Sequence, residues 1–373
     1  MKIQLVSLDN PFPPNYGGAI DIYYKMKALT ELGCDITLHA FYKNRPPNYK
    51  THKYCEKIYY YKRNTHWNSF INIKPYAVSS RTSGDLIKNL ISSSGPIFYD
   101  GLQATMQSKH PGLSRRKKYV RIHNVESEYM RKLSYVEKHP LKKMGFFIDS
   151  LKYFYFEKKL RHFDAIFPIS KKDGEYFLKF HRNTVMINPF HGNIFKGNAP
   201  INSNKYILYH GNFNVAENYS AAMFLIKKVF NDSNLPLILA GLSANKKLMV
   251  HIKNKKHLTI VDNPSKETMA RLVSGAHINI LPTFQSTGVK LKLINSLFIG
   301  KHCFVNDNMV AATRELTKLC VVCCSANEFK NKLNQYWGKA FDSSNMKRRI
   351  GVLSKNFDDI KNAKNIYKTM CNN

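Results

Sequence analysis

Acidic residues are scarce in this chain. Its 373 residues hold 25 Asp and Glu against 58 Lys and Arg, a formal net charge of +33. No stretch reaches the ~18 consecutive apolar residues of a membrane-spanning helix. The opening MKIQLVSLDNPFPP has too short an apolar run for a signal peptide. The seven cysteines, at 34, 55, 303, 320, 323, 324 and 371, are irregularly spread. That is no secreted disulfide framework, and the odd count suits a reducing cytosol. No G-x-G-x-x-G follows the first strand, so the dinucleotide-binding fingerprint is missing. No zinc-finger, RRM or KH signature accompanies the charge. The expectation is an intracellular protein that does not span a membrane and whose field attracts polyanions: nucleic acid, anionic lipid or phosphate-rich substrates.

What is present is an alternation of strands and helices. The length allows about two domains. Ile3 to Leu8 reads as a buried strand, followed by the loop DNPFPPNYGG, a helical pattern ending at Gly33, and the strand ITLHAF. Strand–loop–helix–strand is the unit of a parallel sheet. KIYYYK, PIFYD, KYVRIHN and DAIFPIS extend the series. The pattern restarts after residue 190 with KYILYHG, LPLILAG, LTIVD, INILPT, HCFVN and CVVCCS. Helices are expected at Asn218 to Phe230, KETMARLVSG and about Gly288 to Gly300. The boundary falls near 188–204, rich in Asn, Pro and Gly. The expected domains are 1–190 and 191–354, with 355–373 a terminal Lys/Asn-rich helix. In such folds ligands gather at the carboxyl ends of the strands.

The loops after strands therefore carry the candidate residues. Gly17 and Gly18 stand where a helix begins, and without side chains they let a phosphate or sugar approach free backbone N–H groups; a plain tight turn is the alternative. His123 closes the strand YVRIH, with Asn124 and Glu126 entering the next helix. A His there can shuttle a proton, while all three also fit helix capping. Gly211 and Asn212 end KYILYHGN, and Glu217 and Asn218 fit a helix N-terminus. Ser286, Thr287 and Gly288 look like a helix start, with Val289, Lys290 and Lys292 close behind. A cation at a helix N-terminus opposes the macrodipole, and a bound anion would explain two of them. Three signals read blandly. Cys320 and Cys323 lack a second ligand pair for zinc and suit a buried strand; RRKK (115–118) suits a solvated loop. The stretch 131–162 carries nine Lys/Arg, three Asp/Glu and the aromatics Phe146, Phe147, Tyr153, Phe154, Tyr155 and Phe156. It fits an anionic membrane surface or a core equally well.

Taken in order, PPNYGGAIDIYYKMKALTELGCDITLHAF, RIHNVESEYMRKL, PISKKDGEYF, YHGNFNVAENYSAAMFLI and STGVKLKLINSLFIGK resemble a GT-B glycosyltransferase of the family-4 (group 1) type. Such bacterial enzymes build capsular or lipopolysaccharide chains. The resemblance spans nearly the whole chain. It implies an α/β protein of two Rossmann-like domains with an interdomain cleft, and a terminal helix packing back on the N-terminal acceptor-side domain. It implies a nucleotide-diphosphate sugar held mainly by the second domain, with Gly17 and Gly18 near the phosphates and His123 on the transferred sugar. Gly211 and Asn212 would face the donor, and Gly288, Lys290 and Lys292 its diphosphate. The transfer would retain configuration, with no metal and no cofactor. Two Glu common in the family's motif are Thr287 and Asn295 here; Asn295 can still bond ribose hydroxyls, without charge.

The reading is a retaining hexosyltransferase, peripheral at the inner face of the cytoplasmic membrane, acting on a lipid-linked glycan acceptor and binding no specific nucleic acid. Two rivals are a nucleotide-sugar epimerase on the same fold, which needs more carboxylates at strand ends, and a non-catalytic polyanion-binding protein, supported only by the charge.

Overall fold

A computed structural model describes residues 1–47, 53–66, 68–195, 205–285 and 288–372. The chain forms two compact units. One comprises Met1–Gly192 and Phe357–Asn373, the other Asn193–Asn356. Each holds a six-stranded sheet, and every strand pairing in both is parallel.

In the first unit the strands are β1 (Lys2–Ser7), β2 (Asp35–Tyr42), β3 (Lys57–Lys62), β4 (Ile97–Asp100), β5 (Lys118–Ile122) and β6 (Ala165–Pro168), in the order β3-β2-β1-β4-β5-β6. The second unit has β7 (Ile207–His210), β8 (Leu237–Gly241), β9 (Leu258–Asp262), β10 (Ile278–Leu281), β11 (His302–Val305) and β12 (Val321–Val322), in the order β12-β11-β10-β7-β8-β9. The continuous apolar strand runs have this cause: helices cover both faces of a parallel sheet, so alternation is lost. β4, β5 and β6 are buried at every position. In each sheet the strand order reverses beside the first strand of the unit, which makes a switch point at the carboxyl edge.

The helix Asp359–Asn372 completes the first unit. Its Ala363, Ile366 and Met370 join the core of Ile22, Met26 and Leu29. The Asp359 carboxylate accepts the backbone N–H of Gly192 at 2.7 Å and of His191 at 3.2 Å, fixing where the returning chain begins.

Several sequence expectations change. The helix expected from about Gly288 runs from Leu291 to Ile299. Gly288 has φ +69°, in the left-handed region, so it cannot open a right-handed helix, and Lys290 is an extended N-cap residue. The helix expected from Asn218 begins at Ala216, which puts Glu217 and Asn218 inside its first turn. RRKK is not simply solvated: Arg116 donates to the carbonyls of Gly95, Leu90 and Ser93, and Lys118 is buried in β5. Of the late cysteines, Cys323 is buried, Cys320 half-buried and Cys324 exposed, and all three flank β12 and lie outside it, since that strand holds only Val321 and Val322. In 131–162 the aromatics divide: Tyr153 is buried, while Phe147, Phe154 and Tyr155 are exposed.

Candidate functional site

In the first unit the candidate residues gather where β1, β4 and β5 end. Gly17 opens the helix Gly17–Glu31, after an extended Tyr16 that gives no side-chain cap. A Cβ on Gly18 would come within 3.1 Å of the Tyr16 ring. That ring is held by its hydroxyl, which donates to Asp9 at 2.8 Å, and by the Arg45 guanidinium 4.9 Å above it.

His123 follows β5 directly. Its Nε2 bonds Oδ1 of Asp100, the last residue of β4, at 2.9 Å. An ionised Asp100 only accepts, so Nε2 carries a proton and donates it to the carboxylate, which leaves Nδ1 as the ring atom free to face a ligand. Behind this pair runs a buried ladder of alternating charge. Lys25 bridges Asp100 and Asp21, and Arg121 clasps Asp21 through Nε at 3.2 Å and Nη2 at 2.9 Å. Arg121 also donates to the carbonyls of Ile187 and Asn188. Burial by itself raises the pKa of Asp100, but Lys25 and His123 together outweigh it and hold it below the ordinary range. Burial acts on Asp21 in the same way and is overcome by Arg121 and Lys25. Removing one member of such a ladder leaves an uncompensated charge, at a cost of about 3–5 kcal/mol. Asp21, Asp100 and His123 present atoms within 4.8 Å of one another, a spacing a cation could use. The Lys25 ammonium already bonds both carboxylates and takes that electrostatic role.

Asn124 and Glu126 sit beside His123. Glu126 opens the helix Glu126–Val136 and is buried. Burial pushes its carboxyl up, against hydrogen bonds from Gln103 and Asn124 and the nearby His123. An acid with a raised pKa beside an imidazole of fixed tautomer can give and take protons.

In the second unit the candidates meet at the ends of β7 and β10. Gly211 leaves no room for a side chain: a Cβ would reach Asn218 at 2.9 Å. Asn212 accepts through its carbonyl from Asn218 Nδ2 at 3.0 Å and through Oδ1 from the Asn214 N–H at 3.0 Å. A Cβ on Gly241, at the end of β8, would collide with the Gly211 carbonyl, so the two loops touch because position 241 has no side chain.

Lys290 Nζ lies 3.0 Å from Glu217 Oε1, which also accepts from the Thr283 hydroxyl. Lys292 Nζ donates to Asn218 Oδ1 at 2.9 Å and stands 5.1 Å from the centre of the Tyr209 ring. Burial lowers the Lys292 pKa to about 8, with Glu217 opposing and Lys290 adding to the shift. Val289 and Asn295 are half-buried. Asn295 lies on the helix Leu291–Ile299, one turn beyond Lys292, so the two share a face. Ser286 and Thr287 lie outside the described residues.

Sequence reading missed Asp100, Lys25, Asp21 and Arg121, and took Glu217 for a helix-terminus residue only. The signal for Asp21 and Lys25 was an i,i+4 charge pair on the apolar face of the first helix. For Asp100 it was a lone acid closing a buried strand.

No protein-family model matches the chain. It is 25% identical over 317 residues to an uncharacterised 44.6 kDa protein in the cps region of Klebsiella pneumoniae, covering 79% of this chain and 80% of that one. Among solved structures, sucrose-phosphate synthase from Thermosynechococcus elongatus superposes with a TM-score of 0.71 at 13% identity, covering 98% of this chain and 97% of that one. Trehalose-6-phosphate synthase OtsA superposes with a TM-score of 0.68 at 10% identity, covering 99% of each; trehalose-6-phosphate synthase has been analysed as an enzyme of glycosyl transfer with retention. The fold is the GT-B fold of two Rossmann-like units.

Proposed function

We propose that this chain is a retaining glycosyltransferase that moves a sugar from a nucleotide-diphosphate donor to a lipid-linked glycan in surface-polysaccharide synthesis. It would work as a peripheral protein on the inner face of the cytoplasmic membrane. The observation that carries the reading is the pair Lys290 and Lys292 at the carboxyl edge of the second sheet, on a fold whose solved neighbours transfer sugars. The cps-region relative supports the polysaccharide setting. In this reading the two ammonium groups take the charge that develops on the departing diphosphate. Gly211, Asn212, Gly288 and Val289 allow its close approach, and Asn295 bonds the ribose. His123, with Nε2 committed to Asp100, offers Nδ1 to a hydroxyl of the transferred sugar or the acceptor.

A thermal-shift panel of UDP-, GDP- and ADP-linked sugars tests the donor class, because a ligand that binds only the folded state raises the melting temperature. With the donor so identified, Lys290→Ala/Lys292→Ala removes two charge-assisted contacts of about 1.5–3 kcal/mol each. Affinity and turnover should fall at least about a hundredfold. Parent-like binding and turnover in that double variant would refute the site.

A further inference from the structure

The helix Pro140–Glu157 is apolar where a surface helix should be polar. One side is buried, through Ser150, Tyr153 and Glu157. On the opposite side Leu141, Met144, Phe147, Ile148, Leu151 and Tyr155 are between 43% and 69% exposed. At about 100° per residue these six share an arc of about 120° that contains no charged residue. Lysines border it, Lys143 on one side and Lys152 on the other. The Lys152 border continues into a second exposed segment. Lys152 Nζ donates to the Phe70 carbonyl at 2.9 Å, and Asp149 Oδ1 accepts the Tyr76 N–H at 3.2 Å. That contact sets Phe70, Ile71 and Ile73, which are 56%, 70% and 91% exposed, along the same edge.

We propose that this face docks on an anionic lipid bilayer, the helix lying in the plane of the interface with its apolar arc among the acyl chains and its lysines at the headgroups. The proposal takes up the membrane partner of the reading above and names the surface that makes the contact. Water is a poor solvent for so large a contiguous apolar patch, so the face wants an occupant, and charge selects which one. Residues 131–162 carry nine basic and three acidic side chains, so a second copy would bring two positive faces together. Anionic headgroups neutralise the same lysines while the bilayer accepts the apolar arc.

The test needs no sugar, so it can fail independently of the transferase reading. The full chain is floated with vesicles of phosphatidylcholine alone and of phosphatidylcholine mixed with phosphatidylglycerol. The parent should bind the mixed vesicles and lose binding as salt rises. Phe147→Ser/Leu151→Ser should weaken partitioning by at least about tenfold. In an otherwise parental chain, the single substitution Leu151→Trp should show blue-shifted indole emission on the mixed vesicles, a readout that survives if the double variant misfolds. Absence of binding by the parent, binding unchanged in a folded double variant, or unshifted emission from the Leu151→Trp variant overturns the proposal. So does self-association of the parent that the double variant abolishes without any vesicle binding.

Discussion

Lys292 carries its charge where burial works against it. Its ammonium has one neutral acceptor, Asn218, and a ring face, Tyr209. Its pKa is lowered to about 8, so it is protonated below that pH and loses its charge above it. Nucleoside diphosphates are fully ionised across this range, so the affinity change reports the lysine. Binding of the diphosphate selected by the thermal-shift panel should weaken by up to roughly tenfold per pH unit above 8, following proton linkage. Lys292→Arg keeps its charge and should flatten that profile. Calorimetric titrations at rising pH decide it; parallel profiles for parent and variant would remove Lys292 from the anion site. The pair Lys290 and Lys292 was legible in sequence because cations at a helix start oppose the dipole. Glu217 was not, because an acidic residue in a first helical turn is what the dipole favours anyway. Only the fold brings it to Lys290.

At the scale of elements, Glu157 ties three helices together. It closes Pro140–Glu157, and its carboxylate accepts from the Ser127 N–H at 3.0 Å, the Ser127 hydroxyl at 2.7 Å and the Tyr176 hydroxyl at 3.0 Å. Ser127 belongs to Glu126–Val136 and Tyr176 to Lys171–Leu178. Burial raises the Glu157 pKa from 4.5 to about 7 against those three donors. A carboxyl raised on folding binds its proton more tightly in the native state. Its contribution is therefore complete below about pH 4.5 and is lost as pH rises to about 7, roughly 3 kcal/mol in all. Glu157→Gln should remove that slope. Denaturant midpoints from pH 4.5 to 7 should fall for the parent relative to the variant; two parallel curves would contradict the latch. Several of the helices were visible as periodic apolar patterns. Their starts were not: Gly288 shares its sequence signature with a cap, and its left-handed φ separates it from the helix that Leu291 begins.

For the whole molecule, the twelve strands among the described residues were readable because buried parallel strands are short, apolar and bounded by turn residues. The ladder behind His123 was not, since its members come from residues 21, 25, 100 and 121 and only sheet order assembles them. Chain topology leads to a final expectation. The first unit is built from two separate stretches, and the second lies wholly within Asn193–Asn356. Deleting 357–373 takes Ala363, Ile366 and Met370 from the core around Ile22, Met26 and Leu29. It also takes the Asp359 carboxylate from the N–H groups of His191 and Gly192. Each large apolar side chain removed from a core costs about 2–5 kcal/mol, so the loss rivals the total stability of a domain, about 5–15 kcal/mol. Hydrogen exchange on the truncated chain should lose protection in β1, β2 and Gly17–Glu31, while β7, β8 and β10 keep theirs because none of their core is touched. Uniform loss of protection across both sheets would mean that the two units unfold as one, and unchanged protection in β1 would mean that the terminal helix contributes little to the core it covers.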